Sequence, residues 1–211
     1  MSPNKENYLK VVYELTLDFR KVNNKNIALI MNVSAASVTE MLSSLAEDGL
    51  IDHKPYNEIT LTKAGQKVAR ELVKRHRIWE VFLSKKLNYE IDTLHEISDQ
   101  LEHTADADLI ERLNEFLNFP IRCPHGGLVP GNVKKRTDDD TPLTDYDIGA
   151  IKKIHRVVDN HEFLKKFKTT GLTIGEEIKI IDKNEKEIIV ESTEDGAVKI
   201  PLADANFIFL V

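Results

Sequence analysis

The first fifty residues show apolar positions at helical spacing, separated by residues that favour turns. The apolar positions of the opening segment recur as on one face of a helix: Leu9, Val12, Tyr13, Leu15, Leu17 and Phe19. Asn26 is expected to cap a short helix that ends at Met31. After a tight turn, Ser34 is expected to cap a second helix, which ends at Gly49. The pattern therefore predicts a helix-turn-helix.

Two short extended runs lie between Ile51 and Leu61, around a turn that contains Pro55. Thr62 is then expected to cap a long helix that continues through Trp79. A helix-turn-helix followed by a two-stranded hairpin is typical of a winged helix-turn-helix domain, here residues 1–70. The same pattern also fits a three-helix bundle that does not bind DNA.

The segment of residues 92–118 predicts two further helices, with a break near Thr104. Their apolar positions form a broad face: Leu94, Ile97, Leu101, Leu109, Leu113, Phe116 and Leu117. Together with Trp79 and Phe82, this face is larger than one helix pair needs for its own packing. We therefore expect residues 71–127 to form a helical dimerisation domain.

The segment of residues 128–142 is rich in glycine, proline and charge, which favours a linker. Four short β-type runs follow, broken by glycine and aspartate: residues 174–181, 187–192, 197–201 and 206–211. Short strands separated by turn residues predict a small all-β barrel over residues 143–211. The predicted fold class is mainly α with a small β part.

The net charge of the chain is −6, and its acidity lies at the C-terminal end. Residues 1–70 carry 9 basic and 8 acidic groups, whereas residues 138–211 carry 10 and 16. A nearly neutral N-terminal segment permits DNA binding without arguing for it. The single cysteine, the lack of a long apolar run and the lack of an apolar leader predict a cytoplasmic protein with no membrane partner.

The second helix of the predicted helix-turn-helix would lie in the major groove of DNA. Its first turns offer small side chains and one carboxylate to base edges: Ser34, Ala36, Ser37, Thr39 and Glu40. Phosphate contacts are expected from lysines outside that helix: Lys25, Lys54, Lys63 and Lys67. Because no arginine or lysine occurs from Ser34 to Leu45, these residues leave both the DNA interpretation and the plain bundle open.

Imidazole, thiol and carboxylate groups concentrate in the middle third of the chain. Four of the seven histidines fall within fifty residues: His76, His95, His103 and His125. Other candidate ligands lie among them: Glu80, Asp99, Glu102 and Cys123. His76 and Glu80 are four residues apart, so they share a helix face and can hold one ion together. Each group alone is explained by a solvated face or a buried thiol, but their clustering favours a metal site.

Several segments spread over the chain carry a resemblance to a known family: Asn4-Lys5-Glu6, Ser34 to Leu50, Lys54-Pro55-Tyr56, Lys74-Arg75-His76-Arg77, Leu101-Glu102-His103, Glu111-Arg112-Leu113, Phe119-Pro120 and Cys123-Pro124-His125-Gly126-Gly127. They resemble the diphtheria toxin repressor family, and within it the manganese-dependent repressors of Gram-positive bacteria. The resemblance implies a winged-helix domain, a helical dimerisation domain and a C-terminal barrel of the SH3-like or FeoA type. It also implies a homodimer that binds a double-stranded DNA operator.

The resemblance further implies two metal ions per protomer. One site would combine the helical region with the third domain, through His76, Glu80, His95, Asp159 and Glu162. The other would connect the first helix to the helical domain, through Asn7, Glu102, Cys123 and His125, with His103 as a further candidate. Members of this branch usually carry Asp at the position of Asn7, and Glu or Cys at that of Asp99. Because the amide of Asn7 brings no charge, we expect this second site to be weakened.

These observations predict a metal-activated homodimeric repressor of metal-uptake genes, with no enzymatic activity and no small-molecule substrate. The resemblance implies manganese or iron, whereas the mixed N, O and S donors would hold zinc or cobalt more tightly in solution. Two alternatives belong to other classes: a winged-helix regulator that senses no metal, and a metal-dependent hydrolase. The chain has no His-Glu-x-x-His signature, which speaks against the hydrolase.

Overall fold

A computed structural model describes residues 1–17, 21–52, 58–133, 141–192 and 196–211. The described residues form two compact units. The first unit comprises Met1–His76 and Glu102–Ala105, and the second comprises Arg77–Leu101 and Asp106–Val211. Phe19 and the Lys54-Pro55-Tyr56 segment, which entered the sequence analysis, lie outside the described residues.

The first unit is built from helices and a hairpin. Its elements are α1 (Pro3–Leu17), α2 (Asn24–Met31), α3 (Ala35–Glu47) and the antiparallel strands β1 (Ile51–Asp52) and β2 (Thr60–Leu61). A long helix, α4 (Lys63–Leu87), begins in this unit and continues into the second. The core consists of apolar residues that are withdrawn from solvent: Leu9, Val12, Leu15, Ile27, Val38, Leu42 and Leu45. This is the predicted winged helix-turn-helix arrangement.

Side-chain caps set where the helices of the first unit begin. Asn23, rather than the expected Asn26, caps α2, because its side-chain oxygen accepts a hydrogen bond from the Asn26 N–H at 2.9 Å. Asn26 itself is already helical, so its side chain cannot satisfy the first free N–H groups of the helix. Ser34 caps α3 as predicted, by accepting from the Ser37 N–H at 3.1 Å. Gly49 follows that helix with a φ of +69°.

The second unit combines helices with one antiparallel sheet. Its helices are the end of α4, α5 (Ile91–Leu101), α6 (Ala107–Phe116), α7 (His161–Thr169), α8 (Leu202–Ala205) and a 3-10 turn (Leu143–Asp145). Its strands are β3 (Thr141–Pro142), β4 (Ile151–Val157), β5 (Glu177–Lys183), β6 (Glu187–Ser192), β7 (Gly196–Pro201) and β8 (Ile208–Leu210). They lie in the order β3-β8-β4-β5-β6-β7. The mainly α fold class with a small β part is confirmed.

Among the elements of the barrel region that the sequence pattern missed, β4 and α7 are the longest. Charged residues interrupt the apolar alternation of β4, where Arg156 is nevertheless buried with its guanidinium 3.5 Å from the centroid of the Phe209 ring. Helix α7 is capped by Asn160 and buries Phe163 and Phe167 against the sheet. Both elements matter for the site described below, because the segment between them carries one of its carboxylates.

Part of the predicted linker, residues 128–142, is packed against its neighbours in the described residues. Val129 is fully buried, and its N–H donates to the Ile121 carbonyl at 2.8 Å. The side-chain amides of Asn114 and Asn132 exchange hydrogen bonds of 3.0 and 2.6 Å. Residues 141 and 142 form β3, and residues 134–140 lie outside the described part. Packing partners from α6 therefore order a segment that its glycine and proline content marked as linker.

Within the part of the chain that the structure describes, no single helix is long and apolar enough to cross a membrane. One bent pair, α2 with α3 at 108°, meets the criteria of length and composition only when the two helices are taken together.

Candidate metal centre

A buried group of imidazole, thiol and carboxylate side chains lies in the second unit. We call it the Cys123 cluster; its members are Glu80 on α4, His95 on α5, Cys123 and His125 in the loop after α6, and Asp159 between β4 and α7. His125 Nδ1 lies 2.7 Å from Glu80 Oε1 and 3.6 Å from Asp159 Oδ1. His95 Nδ1 lies 2.6 Å from Asp159 Oδ1. Glu80, Cys123 and His125 can each present one ligand atom within 4.8 Å of the others.

The loop that carries Cys123 and His125 rests directly on β4. The Gly126 N–H donates to the Cys123 carbonyl at 2.9 Å, and the Val157 N–H donates to the His125 carbonyl at 3.0 Å. Gly126 has a φ of +86°, and a Cβ at this position would lie 2.4 Å from the His155 carbonyl oxygen. Only glycine therefore allows this close approach of loop and strand. This contact fixes the positions of the Cys123 thiol and the His125 imidazole.

Burial and charge set the protonation of the cluster. Burial alone would lower the pKa of His125, but the carboxylates of Glu80 and Asp159 outweigh it and hold that pKa well above 6.5. Burial, together with the charge of Glu80, raises the pKa of the Cys123 thiol. The thiol therefore keeps its proton at neutral pH, and coordination to a cation would release that proton.

The donor set of the Cys123 cluster fits a divalent metal ion. Imidazole, thiolate and carboxylate are the side chains that bind zinc, and imidazole with carboxylate also binds manganese and iron. Glu80 is fully buried and His125 is 1 % exposed, so their charges are shielded from water. His125 Nδ1 is buried 2.7 Å from Glu80 Oε1, so an imidazole nitrogen and a carboxylate oxygen lie together away from water. Both atoms could coordinate one cation.

A second group of charged and polar side chains surrounds Glu102 in the first unit. We call it the Glu102 cluster; its members are Glu6, Asn7, Lys10, His76, Glu102 and His103. Glu102 is fully buried, and its Oε2 lies 2.5 Å from His76 Nδ1. The Lys10 ammonium lies 3.0 and 3.1 Å from the two oxygens of Glu102. His103 Nε2 lies 2.9 Å from Asn7 Oδ1 and 3.6 Å from Glu102 Oε1, while its Nδ1 contacts Glu6.

The structure groups the candidate ligands differently from the sequence analysis. Cys123 and His125, which were assigned with Glu102, lie with Glu80 and Asp159 in the second unit. His76 lies against Glu102 in the first unit, and its assignment with Glu80 stays a prediction. Helical spacing places side chains on a face, but it does not say which neighbouring element that face meets, so Cys123 and His125 were found and their partners were not.

Glu162 lies apart from the cluster to which the sequence analysis assigned it. It is exposed in the first turn of α7 and is not among the described residues whose ligand atoms converge. Asp159, three residues earlier, precedes the helix and faces His95 and His125. The spacing that would align two ligands within a helix is broken here, because α7 begins between them.

The predicted DNA-reading residues lie on an exposed face at the start of α3: Ser34, Ala36, Ser37, Thr39 and Glu40. The predicted phosphate contacts Lys25, Lys63 and Lys67 are also exposed, and Lys54 lies outside the described residues. The Thr39 hydroxyl donates to the Ala35 carbonyl at 3.0 Å and accepts from the Asn24 side chain at 2.8 Å. These bonds fix α3 against α2 and leave its outer face open to a ligand.

Two members of the Glu102 cluster, Glu6 and Lys10, were not found from the sequence. Both lie on α1 within one turn of Asn7, where the resemblance had placed a metal ligand. Lys10 could have been found from its position, since it stands between the buried residues Leu9 and Val11 in an otherwise apolar run. A lysine in such a position normally has a buried acidic partner.

Three family models together cover most of the chain. The iron dependent repressor N-terminal DNA binding domain matches residues 1–59, the iron dependent repressor metal binding and dimerisation domain matches residues 62–131, and the FeoA domain matches residues 141–211. These matches confirm the predicted succession of a DNA-binding domain, a helical domain and a FeoA-type barrel.

Individual relatives match over nearly the whole length. The diphtheria toxin repressor of Corynebacterium efficiens is 26 % identical over 200 residues, which are 89 % of this chain and 86 % of that protein. The manganese regulator SloR is 36 % identical with a TM-score of 0.86, over 100 % of this chain and 99 % of that one. ScaR with bound Zn²⁺ is 31 % identical with a TM-score of 0.83, over 99 % of each chain. The chain therefore belongs to the diphtheria toxin (iron-dependent) repressor family, whose members are metal-dependent DNA-binding transcriptional repressors.

Proposed function

We propose that this protein is a manganese-activated, homodimeric repressor that binds operators of metal-uptake genes in the cytoplasm. The observation that carries the proposal is the Cys123 cluster, in which two imidazoles, two carboxylates and a thiol converge from separate parts of one unit. Such a buried donor set is costly for a folded protein unless a cation balances it. Membership of a metal-dependent repressor family supports the same conclusion.

Two divalent ions per protomer are proposed, one for each cluster. The first would be held by Glu80, Cys123, His125 and Asp159, with His95 beside Asp159. His76, one turn before Glu80 on α4, stays a further candidate for it. The second would be held by the remaining predicted ligands of the first unit: Glu102, His103 and Asn7.

The choice of manganese rests on the relatives, because the donors alone do not select it. Carboxylate and amide oxygens with imidazole suit manganese and iron, and the thiol of Cys123 favours zinc or cobalt. Among the relatives, SloR is described as a manganese regulator and ScaR has been solved with zinc. We infer that manganese or iron is the activator and that zinc and cobalt bind the same groups in solution.

A second copy of the chain is proposed to cover the helical part of the second unit. Large apolar side chains are exposed there: Leu87, Tyr89, Leu109, Phe116, Phe119 and Ile121. A monomer rarely leaves so many on one region, and such surfaces mark interaction sites. Because the family model matched to residues 62–131 describes a dimerisation domain, the partner proposed is an identical protomer.

The Glu102 cluster offers a physical route from metal to DNA within the first unit. His103 contacts Asn7 and Glu6 on α1, and α1 packs against α2 and α3. Ligands drawn together around Glu102 would therefore fix α1 and, through it, the presentation of α3. Metal and DNA binding are then coupled reciprocally, so each strengthens the other.

The proposal is tested by the affinity for the duplex upstream of the protein's own gene, measured by fluorescence anisotropy. We expect the affinity to rise at least about tenfold between chelator and saturating manganese, which corresponds to a coupling of about 1.4 kcal/mol. A shuffled duplex serves as the control, and iron and zinc are compared with manganese. Equal affinity with chelator and with metal would contradict the proposal and favour a winged-helix regulator that senses no metal.

A further inference from the structure

The ammonium group of Lys10 stands at the centre of the Glu102 cluster. Lys10 belongs to the interior of α1 and is 6 % exposed. Its Nζ lies 3.0 and 3.1 Å from the two oxygens of Glu102 and 3.4 Å from His76 Nδ1. A lysine is seldom buried to this extent, and here its charge is paired with a carboxylate that is itself fully buried.

Lys10 faces the same atoms that a divalent ion would need. Both oxygens of Glu102 point towards its ammonium, and the nearest nitrogen of His76 lies beside it. A divalent cation on Glu102 would therefore stand within a few ångströms of a like charge in a buried site, where repulsion is strong. The ammonium and a divalent ion therefore cannot both lie beside the carboxylate of Glu102 without strong electrostatic repulsion.

We propose that Lys10 is a built-in competitor for the metal ion at Glu102. Its ammonium neutralises the carboxylate while the metal is away, and it must withdraw before Glu102 can coordinate a divalent cation. The flexible four-carbon stem of lysine permits such a withdrawal without a change in the helix. Lys10 thereby raises the metal concentration at which the second site fills, and this inference rests on the proposed metal-binding role of Glu102.

Two roles of Lys10, competition with the metal and simple structural support, predict opposite effects on metal binding when the ammonium is removed. If Lys10 only held Glu102 in place, its loss would weaken both the metal-free fold and the binding of metal. If Lys10 competes, its loss weakens the metal-free fold, because Glu102 is left buried and unpaired, but tightens metal binding. The signs of the two changes, measured together, separate the two roles.

The variant Lys10→Met removes the charge and keeps a linear side chain, and Lys5→Met is its matched control. Lys5 lies on the same helix and pairs with Asp48 instead. Manganese titrations by calorimetry should show that Lys10→Met lowers the Kd of the second site at least about tenfold, while its metal-free Tm falls. Lys5→Met should leave that Kd unchanged, and Lys10→Arg should keep it near the value of the unaltered protein. An unchanged or raised Kd in Lys10→Met would overturn the proposal.

The unaltered protein gives an independent test that does not depend on the folding of a variant. Reductive methylation of lysines, quantified by mass spectrometry, should leave Lys10 protected in chelator and modify it faster at saturating manganese. Equal protection in both conditions would overturn the withdrawal of Lys10. The metal-binding role of Glu102 is checked separately by Glu102→Gln, which should lose one ion per protomer. If Glu102→Gln loses no ion, the proposed function of this cluster fails, whatever the result for Lys10.

Discussion

At the residue scale, local backbone decides which of two nearby carboxylates faces the candidate metal centre. Asp159 and Glu162 are three residues apart, a spacing that aligns side chains only within a helix. Asn160 caps α7 between them, so Asp159 lies outside the helix, beside His95 and His125. Glu162 already belongs to the helix and is exposed. Position relative to a helix start therefore outweighs spacing along the sequence.

This difference predicts unequal effects of two alanine substitutions. Asp159→Ala should lose one bound manganese ion per protomer, because a carboxylate that faces two imidazoles in the Cys123 cluster is removed. Glu162→Ala, the matched control on the same segment, should retain both ions. Calorimetry of both variants gives the stoichiometry directly. If only Glu162→Ala loses an ion, then Glu162 is a metal ligand and Asp159 is not.

The sequence predicted which residues are candidate metal ligands better than it predicted which of them lie together. His76, Glu80, Cys123 and His125 were recognised because reactive side chains are unusual at such density in a helical segment. Their division into two clusters depends on which elements pack together, and this information is spread over distant parts of the chain. The approach of the loop to β4, which brings His125 near Asp159, has no local signal in sequence.

At the element scale, one glycine lets the loop that carries Cys123 and His125 lie on the barrel. Gly126 combines a positive φ with a backbone approach that leaves no room for a Cβ. Gly149, in the same unit, has a φ of +92° and nothing within 4 Å of the position of a Cβ. Substitution of either glycine would therefore strain the backbone, but only substitution of Gly126 would also create a steric clash.

The comparison of these glycines gives a prediction for the loop. Gly149→Ala should destabilise the protein by about 1 kcal/mol from backbone strain alone. Gly126→Ala should cost about 3 kcal/mol or more, since the loop must also move away from His155. It should also lose the ion held by the Cys123 cluster, whereas Gly149→Ala keeps it. Urea denaturation and metal stoichiometry measure both effects, and equal behaviour of the two variants would contradict this role of Gly126.

Helices were predicted from sequence more fully than the barrel. Periodic apolar positions and caps such as Ser34 located α3 and its neighbours, because these are local properties. Strand β4 and helix α7 escaped prediction, since one is rich in charge and the other is short. Arg156 shows the reason most clearly: its burial depends on the ring of Phe209, more than fifty residues away.

At the scale of the whole molecule, the exposed apolar residues of the helical region predict a dimer. Phe116 is 59 % exposed, and Phe116→Asp should place a charge in the proposed interface and shift the protein towards monomer. Ile148 on the barrel is 58 % exposed, so Ile148→Asp makes the same chemical change elsewhere. Analytical ultracentrifugation at micromolar concentration should show a monomer for the first variant and a dimer for the second. A dimer in both would place the interface on another surface.

The response of the whole molecule to metal is expected to depend on residue 7. Asn7 Oδ1 faces His103 Nε2 at 2.9 Å, so an oxygen of residue 7 already lies beside a proposed ligand. Asn7→Asp would turn this neutral oxygen into a carboxylate, which manganese prefers to an amide. Even changes outside the ligands cost metal sites about 10- to 100-fold in affinity, so this change should tighten binding at least about tenfold.

Because α1 packs on the helices that present α3, the gain in metal affinity from Asn7→Asp should also appear in DNA binding. The manganese concentration at half-maximal operator binding should fall at least about tenfold. Asn4→Asp adds the same charge to an exposed position of α1 and should leave that midpoint unchanged. If Asn7→Asp also leaves it unchanged, residue 7 does not ligate the ion, and the route from Glu102 through α1 to the DNA-reading helix is wrong.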